Sequence, residues 1–302
     1  MAETRAVLAV GAIMVDLVCR VPRLPASGEG AVVDEVQATV GGCAFNAANA
    51  MRQLGAPHQL FAPVGSGIFA GFVERELAAR GLSAPRLGDG DSGGCVCLVE
   101  PDGQRTMITL PGVERRFERA WFDQVDAARF ACGFASGYEV EGAGGDAIIG
   151  FFEEHPAIRF YYAPGPRICD VGERKTARIN ALRPVWHLND QEALAYTGRD
   201  SLEEAGFAIA EQCGNAVVVT AGAAGSHLFA EGCHVAVPTQ PVQVADTVGA
   251  GDAHLGALVA ARAAGRPWEG ALDLANRVAG AVCGVRGATL TDKEFARAGL
   301  RL

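Results

Sequence analysis

From Phe130 onward the chain repeats one pattern, in which a short apolar run is followed by a helical pattern and then by another apolar run, with no hairpin turn between them. The runs Phe130 to Phe134, Ile158 to Tyr162, Val185 to Leu188 and Ala216 to Thr220 are too uniformly apolar to leave one face in water. Between them, Gly145 to Glu154, Asp170 to Asn180, Asp190 to Thr197 and Leu202 to Cys213 carry helical spacing, and Asp200 with Glu203 predicts a capping box for the last of these. Strands linked by crossover helices pair in parallel, so this alternation predicts a parallel sheet covered by helices on both faces.

The first third reads differently. Val7 to Val10 has the pattern of a buried strand, whereas Val15 to Val21 and Ala31 to Val40 are extended runs with no helix between them. Cys95 to Glu100 and Arg105 to Leu110 flank Pro101-Asp102-Gly103-Gln104, a turn sequence that predicts a hairpin. Segments of about 13–40 and 93–112 are therefore expected to form a small antiparallel sheet beside the main one, within one domain spanning 1–302. Helical patterns at Cys43 to Leu54 and Phe69 to Arg80 separate the two segments, stopped by Gly55 and Gly81.

Composition removes several function classes. The 302 residues carry 26 basic and 35 acidic side chains, a formal charge of 26 minus 35, or -9, which argues against a nucleic-acid partner. Hydrophobic residues make up 49% and mean hydropathy is +0.16, as in a water-soluble protein with a large core. No run of about 18 apolar residues or secretory signal pattern is present, so a cytoplasmic protein without a membrane partner is expected. Nine cysteines with no C-x-x-C pair predict neither a disulfide framework nor a zinc site, and His187, His227, His234 and His254 have no metal-ligand spacing.

The sharpest local signal is Asp246-Thr247-Val248-Gly249-Ala250-Gly251-Asp252, leading into the helical run Ala253 to Ala264. Small residues at a helix start expose backbone N–H groups to an anion and the helix dipole adds positive potential, so Gly249, Ala250 and Gly251 read as an anion hole. An aspartate just inside it, Asp252, is placed to take a proton from an attacking hydroxyl. Gly41-Gly42-Cys43-Ala44-Phe45-Asn46 enters a helix in the same way and presents Asn46, which can both donate and accept, as suits a polyol. Asp16, near the end of an apolar run, can accept from two adjacent hydroxyls. There is no G-x-x-x-x-G-K-[ST] and no G-x-G-x-x-G after the first strand, which removes P-loop and dinucleotide sites and with them a nicotinamide-dependent oxidoreductase.

These residues resemble a known family. Gly41 to Gly65, with Asn46, Ala48, Gly55 and Gly65 at their separations, resembles the first signature of the ribokinase (PfkB-type) carbohydrate kinases, and Asp246 to Ala257 resembles the second, about two hundred residues later. Asn189-Asp190-Gln191-Glu192 matches the family's N-x-x-E element, and Val99 to Thr106, Gly165-Pro166-Arg167 and Gly251 to His254 look closest to an enterobacterial sugar-kinase-like branch. The resemblance implies a three-layer α/β fold with a mostly parallel central sheet and a small β-sheet lid. It also implies ATP-dependent phosphoryl transfer to an alcohol, usually a hydroxymethyl group of a sugar or nucleoside.

By the same resemblance Asp252 is the base, Gly249 to Gly251 the anion hole, and Asp16, Gly41, Gly42 and Asn46 the acceptor site. Asn189 and Glu192 organise Mg²⁺ and phosphates through water, and Thr220, Gly222, Gly225 and Asn276 border the nucleotide. Asp246 and the Val248 carbonyl coincide with a loop that holds K⁺ in some members. The chain departs from the pattern at Gly67, Ala163, Ala224 and His254, where relatives carry an acidic residue, a polar one, a polar or basic one and an aromatic one. A small sugar is favoured over a nucleoside because the predicted lid offers Ile13, Met14, Val18, Cys97, Met107 and Ile108 rather than aromatic faces. A non-catalytic sensor of sugar or nucleotide is the reading from another class, but it is expected to have lost the base or the anion hole. The exposed edges of a small lid sheet predict a homodimer paired through the lids.

Overall fold

The computed structural model describes residues 5–102 and 104–302, so Met1 to Thr4 and Gly103 of the expected turn lie outside it. Strands β1 (Ala6–Val10), β2 (Met14–Arg20) and β3 (Glu35–Gly41) lead to α1 (Cys43–Gln53), β4 (His58–Phe61) and α2 (Ile68–Ala79). A hairpin of β5 (Gly94–Val99) and β6 (Arg105–Leu110) follows. Then come β7 (Phe130–Ser136), α3 (Gly137–Glu141), α4 (Gly145–Glu154), β8 (Arg159–Ala163), α5 (Glu173–Ala181), β9 (Val185–Asn189), α6 (Asp190–Thr197), α7 (Leu202–Cys213) and β10 (Val217–Thr220). The chain ends with β11 (Ser226–Ala230), β12 (Cys233–Val237), α8 (Ala250–Ala263), α9 (Trp268–Cys283) and α10 (Asp292–Ala298).

Eight strands form the main sheet in the order β12-β11-β10-β9-β8-β7-β1-β4. The six from β10 to β4 run parallel, as the strand-helix alternation predicts, while β11 and β12 add an antiparallel edge. Side chains alternate between two cores. Val7, Ala9, Phe134 and Tyr161 face the layer of α1, α2, α8 and α9, whereas Leu8, Val10, Phe160, Tyr162 and Trp186 face that of α4, α5, α6 and α7. The second core is aromatic, with Phe122 stacked on Phe151 and Phe152 on Phe160, and each fully buried ring contributes about 1.5–3 kcal/mol. The first core is rich in alanine, which lets its helices approach closely.

The closest approach is between α1 and α8. A Cβ on Gly256 would overlap the backbone carbonyl oxygen of Ala47, so the two helices meet there backbone to backbone. One turn earlier on α8 is Asp252.

The smaller sheet has the order β3-β2-β5-β6. It is mixed and not antiparallel as expected, because β2 pairs with β5 in parallel. The chain between them passes through α1, β4 and α2, so no tight turn dictates their relative direction. At the sheet's base the buried Glu114 carboxylate accepts from the N–H of Gly93 at 2.8 Å and of Gly112 at 2.9 Å, which stitches together the entry to β5 and the exit from β6. Two local expectations also shift. Ser201, not Asp200, caps α7 by accepting from Glu204 N–H at 3.2 Å, and α5 opens at Glu173 because 167–171 form turns.

Gly256→Ala forces α1 and α8 apart or displaces Ala47. It is expected to cost about 1–3 kcal/mol, measured by urea unfolding, whereas Gly150→Ala, which meets open space on α4, leaves stability equal or higher.

Candidate active site

In an open parallel sheet the crevice for ligands lies at the carboxyl ends of the strands, where successive connections diverge to either side. Here β1 connects toward β4 at one edge and the later strands extend the other way from β7. A cleft of about 420 Å³ occupies that end, lined by Ser136 ending β7 and Tyr138 after it, Ala163 ending β8 and Gly165 and Pro166 after it, His187 and Asn189 of β9 and Glu192 after it, Thr220 ending β10, and Thr247, Gly249, Gly251 and Asp252.

The start of α8 leaves backbone N–H groups exposed. Gly249, its N-cap, has φ 74°, and a Cβ there would overlap the Ala288 carbonyl oxygen. The amide of Ala250 donates to Thr247 O at 3.3 Å, so the exposed cradle is shifted from the expected trio. Among the described residues, the amides of Gly249, Gly251 and Asp252 reach no acceptor. Burial pushes the Asp252 carboxyl above its ordinary range, although Asn46 Nδ2 donates to Oδ2 at 2.8 Å and the Cys43 thiol lies beside it. Asn46 Oδ1 is buried with no protein partner, an acceptor left for a ligand hydroxyl.

Gly41 and Gly42 have separate physical reasons. Gly42, the N-cap of α1, has φ 104°, and a Cβ would fall 2.5 Å from Ala12 O. A Cβ on Gly41, which pairs with Met14, would overlap the carboxylate of Asp16, its diagonal neighbour on β2, and burial pushes Asp16 up to about 6.

Asn189 and Glu192 form a capping box. Asn189 Oδ1 accepts from Glu192 N–H at 2.8 Å and Glu192 Oε2 accepts from Asn189 N–H at 3.0 Å, so one Glu192 oxygen lies outside the box, and both residues line the cleft. Burial raises the Glu192 pKa. A carboxylate with one uncommitted oxygen suits Mg²⁺ held through its waters, so these residues fit that ion.

Other assignments change. Asp246 Oδ1 accepts from Val248 N–H at 3.2 Å and from Arg105 of β6 at 3.1 Å, and Oδ2 accepts from Gly287 N–H at 3.3 Å. Both oxygens are engaged and a guanidinium already supplies the positive charge, so the Asp246–Val248 loop does not fit the expected K⁺. Asn276 does not line the cleft; its nitrogen donates to Val237 O at 2.9 Å and its oxygen faces His254. His254 likewise points inward, to His187 and Asn276, and not at the cleft. Gly222 and Gly225 form the turn that follows β10, beyond Thr220.

Sequence reasoning missed Glu139. It lies on α3 just past β7, only 3% exposed, and accepts a hydrogen bond from the Ser136 hydroxyl. A Cβ on Gly11, just beyond β1, would come within 3.1 Å of its Oε2, and it lies close enough to Asp252 for their charges to interact. The available signal was a polar Ser136 ending an apolar strand and an acid three residues on.

Burial pushes Glu139 up to about 7, against the Ser136 bond that lowers it. Below its ordinary value of 4.5 the group is protonated folded and unfolded; between 4.5 and 7 only the unfolded chain ionises, so stability falls as pH rises and the loss is complete above 7. Glu139→Gln is therefore expected to raise Tm at pH 8 by a few degrees and leave it nearly unchanged at pH 4, read by calorimetry at both pH values.

The profile of the pfkB family carbohydrate kinases matches residues 4–137 and 169–294. An uncharacterized sugar kinase, YegV, of Escherichia coli K12 is 34% identical over 288 residues, 94% of this chain and 90% of the relative. Among solved structures, Arabidopsis thaliana ribokinase complexed with ribose and ATP superposes with a TM-score of 0.81 at 20% identity, covering 98% of this chain and 99% of that one. Adenosine kinase from Sinorhizobium meliloti gives 0.84 at 21% identity, with the same coverages. The α/β architecture with its second, smaller sheet is thus ribokinase-like, and the chain belongs to the pfkB family of carbohydrate kinases.

Proposed function

We propose that this chain transfers the γ-phosphoryl group of ATP to a hydroxymethyl group of a small sugar. The carrying observation is the juxtaposition at the start of α8 of unpartnered backbone amides with a buried carboxylate held by Asn46. Phosphoryl transfer needs alignment and charge neutralisation more than covalent catalysis, and this pair supplies both. Asp252 accepts the acceptor's hydroxyl proton, its affinity for it strengthened by burial. The amides of Gly249, Gly251 and Asp252 stabilise the charge on the transferred group. Asp16, Glu139 and the free Oδ1 of Asn46 orient the remaining hydroxyls. Thr220 and the Gly222–Gly225 turn border the nucleotide, and Arg167, held over the Tyr138 ring at 5.4 Å, puts a cation at the phosphate side. Glu192 and Asn189 would hold Mg²⁺, which supplies charge neutralisation and alignment of the phosphates when bound. The smaller sheet serves as the lid that excludes water, with Arg105 touching the loop before α8.

Purified protein with Mg-ATP is to be screened against pentoses, hexoses, sugar acids and nucleosides, following ADP release. Saturable turnover with a sugar supports the reading, and turnover with nucleosides alone replaces it by a nucleoside kinase. ATP binding without turnover across the panel leaves the sensor reading. With the active acceptor, Asp252→Asn is expected to bind ATP normally and to lose about 10²–10⁴-fold in kcat; near-normal turnover overturns the base assignment.

The smaller sheet also supports self-association. Met107, Ile108 and Leu110 on β6 and Val36 on β3 are 59%, 50%, 40% and 61% exposed, an apolar surface on two edge strands. A dimer through this sheet is expected by light scattering, and Ile108→Lys is expected to give a monomer; a monomeric parent protein at micromolar concentration overturns it.

A further inference from the structure

Two buried histidines tie together the two halves of the cleft. His187 lies on β9 two residues before Asn189, and His254 lies on α8 two residues after Asp252. They are 5% and 2% exposed. His187 Nε2 and His254 Nδ1 are 2.8 Å apart, and His254 Nε2 is 3.1 Å from Asn276 Oδ1. Asn276 Nδ2 in turn lies 2.9 Å from Val237 O and 3.4 Å from Pro238 O.

The proton positions follow from the far end. Two carbonyls face one end of the Asn276 amide, so its nitrogen points at them and its oxygen faces His254. His254 Nε2 therefore carries a hydrogen. Burial pushes the His254 pKa down to about 4, so the ring is neutral and its Nδ1 offers a lone pair. His187 Nε2 must then be the donor of the 2.8 Å bond. The chain of bonds has one direction, from β9 through α8 and α9 to the carbonyls at the end of β12. Among the described residues no charged side chain hydrogen-bonds to either ring.

We propose that the His187–His254 bond is a positioning device, fixing Asp252 and the anion cradle on α8 relative to the Asn189–Glu192 pair that follows β9. It rests on the kinase reading of those residues. Apolar side chains of similar volume would also fill the space, but they would not define one register between helix and strand; a directed bond between buried groups does. Register matters here because the acceptor oxygen, the phosphoryl group and its charge-neutralising partners must align, and a misplacement of about 1 Å costs about 10²-fold in rate. His254 does not line the cleft, and His187, which borders it, points its Nε2 at His254.

The test compares His187→Phe, which leaves His254 Nδ1 without a donor, with His187→Gln, whose amide keeps an N–H at similar reach. With Mg-ATP and the acceptor that the parent protein phosphorylates, His187→Phe is expected to lose about 10- to 100-fold in kcat with the KM for ATP within about twofold, and His187→Gln to recover most of it. Nitrogen-15 NMR of the parent protein at pH 7 is expected to show both rings neutral and protonated on Nε2. An unchanged kcat in folded His187→Phe, or either ring protonated on Nδ1, overturns the inference. Should His187→Phe not fold, His187→Gln and His254→Asn are combined, and strictly additive losses in kcat overturn it. Failure of the kinase reading is distinguishable, since the parent protein then turns over no acceptor while the ring tautomers still report the bond.

Discussion

The contact on which the site depends is the backbone-to-backbone approach of α1 and α8 at Ala47 and Gly256. Asn46 precedes Ala47 on one helix, and Asp252 lies one turn before Gly256 on the other, so the same close approach produces the 2.8 Å bond between them. Each helix enters through glycine, α1 through Gly42 and α8 through Gly249, and each directs the positive end of its dipole toward the same cleft. An alanine-rich layer is thus a requirement of this approach: bulkier residues would pack as well and hold the two N-termini farther apart.

Buried carboxyl groups in and around the cleft oppose folding. Asp16, Glu139, Glu192 and Asp252 are carboxyl groups whose proton affinity burial has raised, in a chain that already carries net negative charge. What offsets them is dipolar and local: the Asn46 amide, the Ser136 hydroxyl, the Asn189 N–H and two helix N-termini. Stability lost at such a site is commonly the cost of function, and here the aromatic core on the opposite face of the sheet stabilises the scaffold that carries it.

Much of this was legible in the sequence, for identifiable reasons. The strand-helix alternation after Phe130 reflects burial on both faces of a parallel sheet, a pattern that local composition records directly. Gly42, Gly249 and Asp252 were legible because helix N-termini have their own chemistry. The direction of β2 against β5 was not, since pairing between strands separated by two helices leaves no local mark. The inward turn of His254 and Asn276 was hidden for the same reason, since each takes its meaning from partners on other elements; Glu139 carries a local mark in Ser136, but its closeness to Gly11 and Asp252 does not. The engagement of Asp246 was hidden as well, because Arg105 reaches its loop from the smaller sheet.

The buried Glu114 stitch at the base of β5 and β6 makes that hairpin a cantilever, anchored at Gly93 and Gly112 and reaching over to Asp246 at its far end. Its root is fixed at Gly93 and Gly112, where a Cβ would overlap Glu114 or the facing backbone, so the anchorage depends on these two glycines and not on side chains along the arm. Such an architecture decouples the two ends of the arm: its exposed side chains can change without moving the helix starts below them.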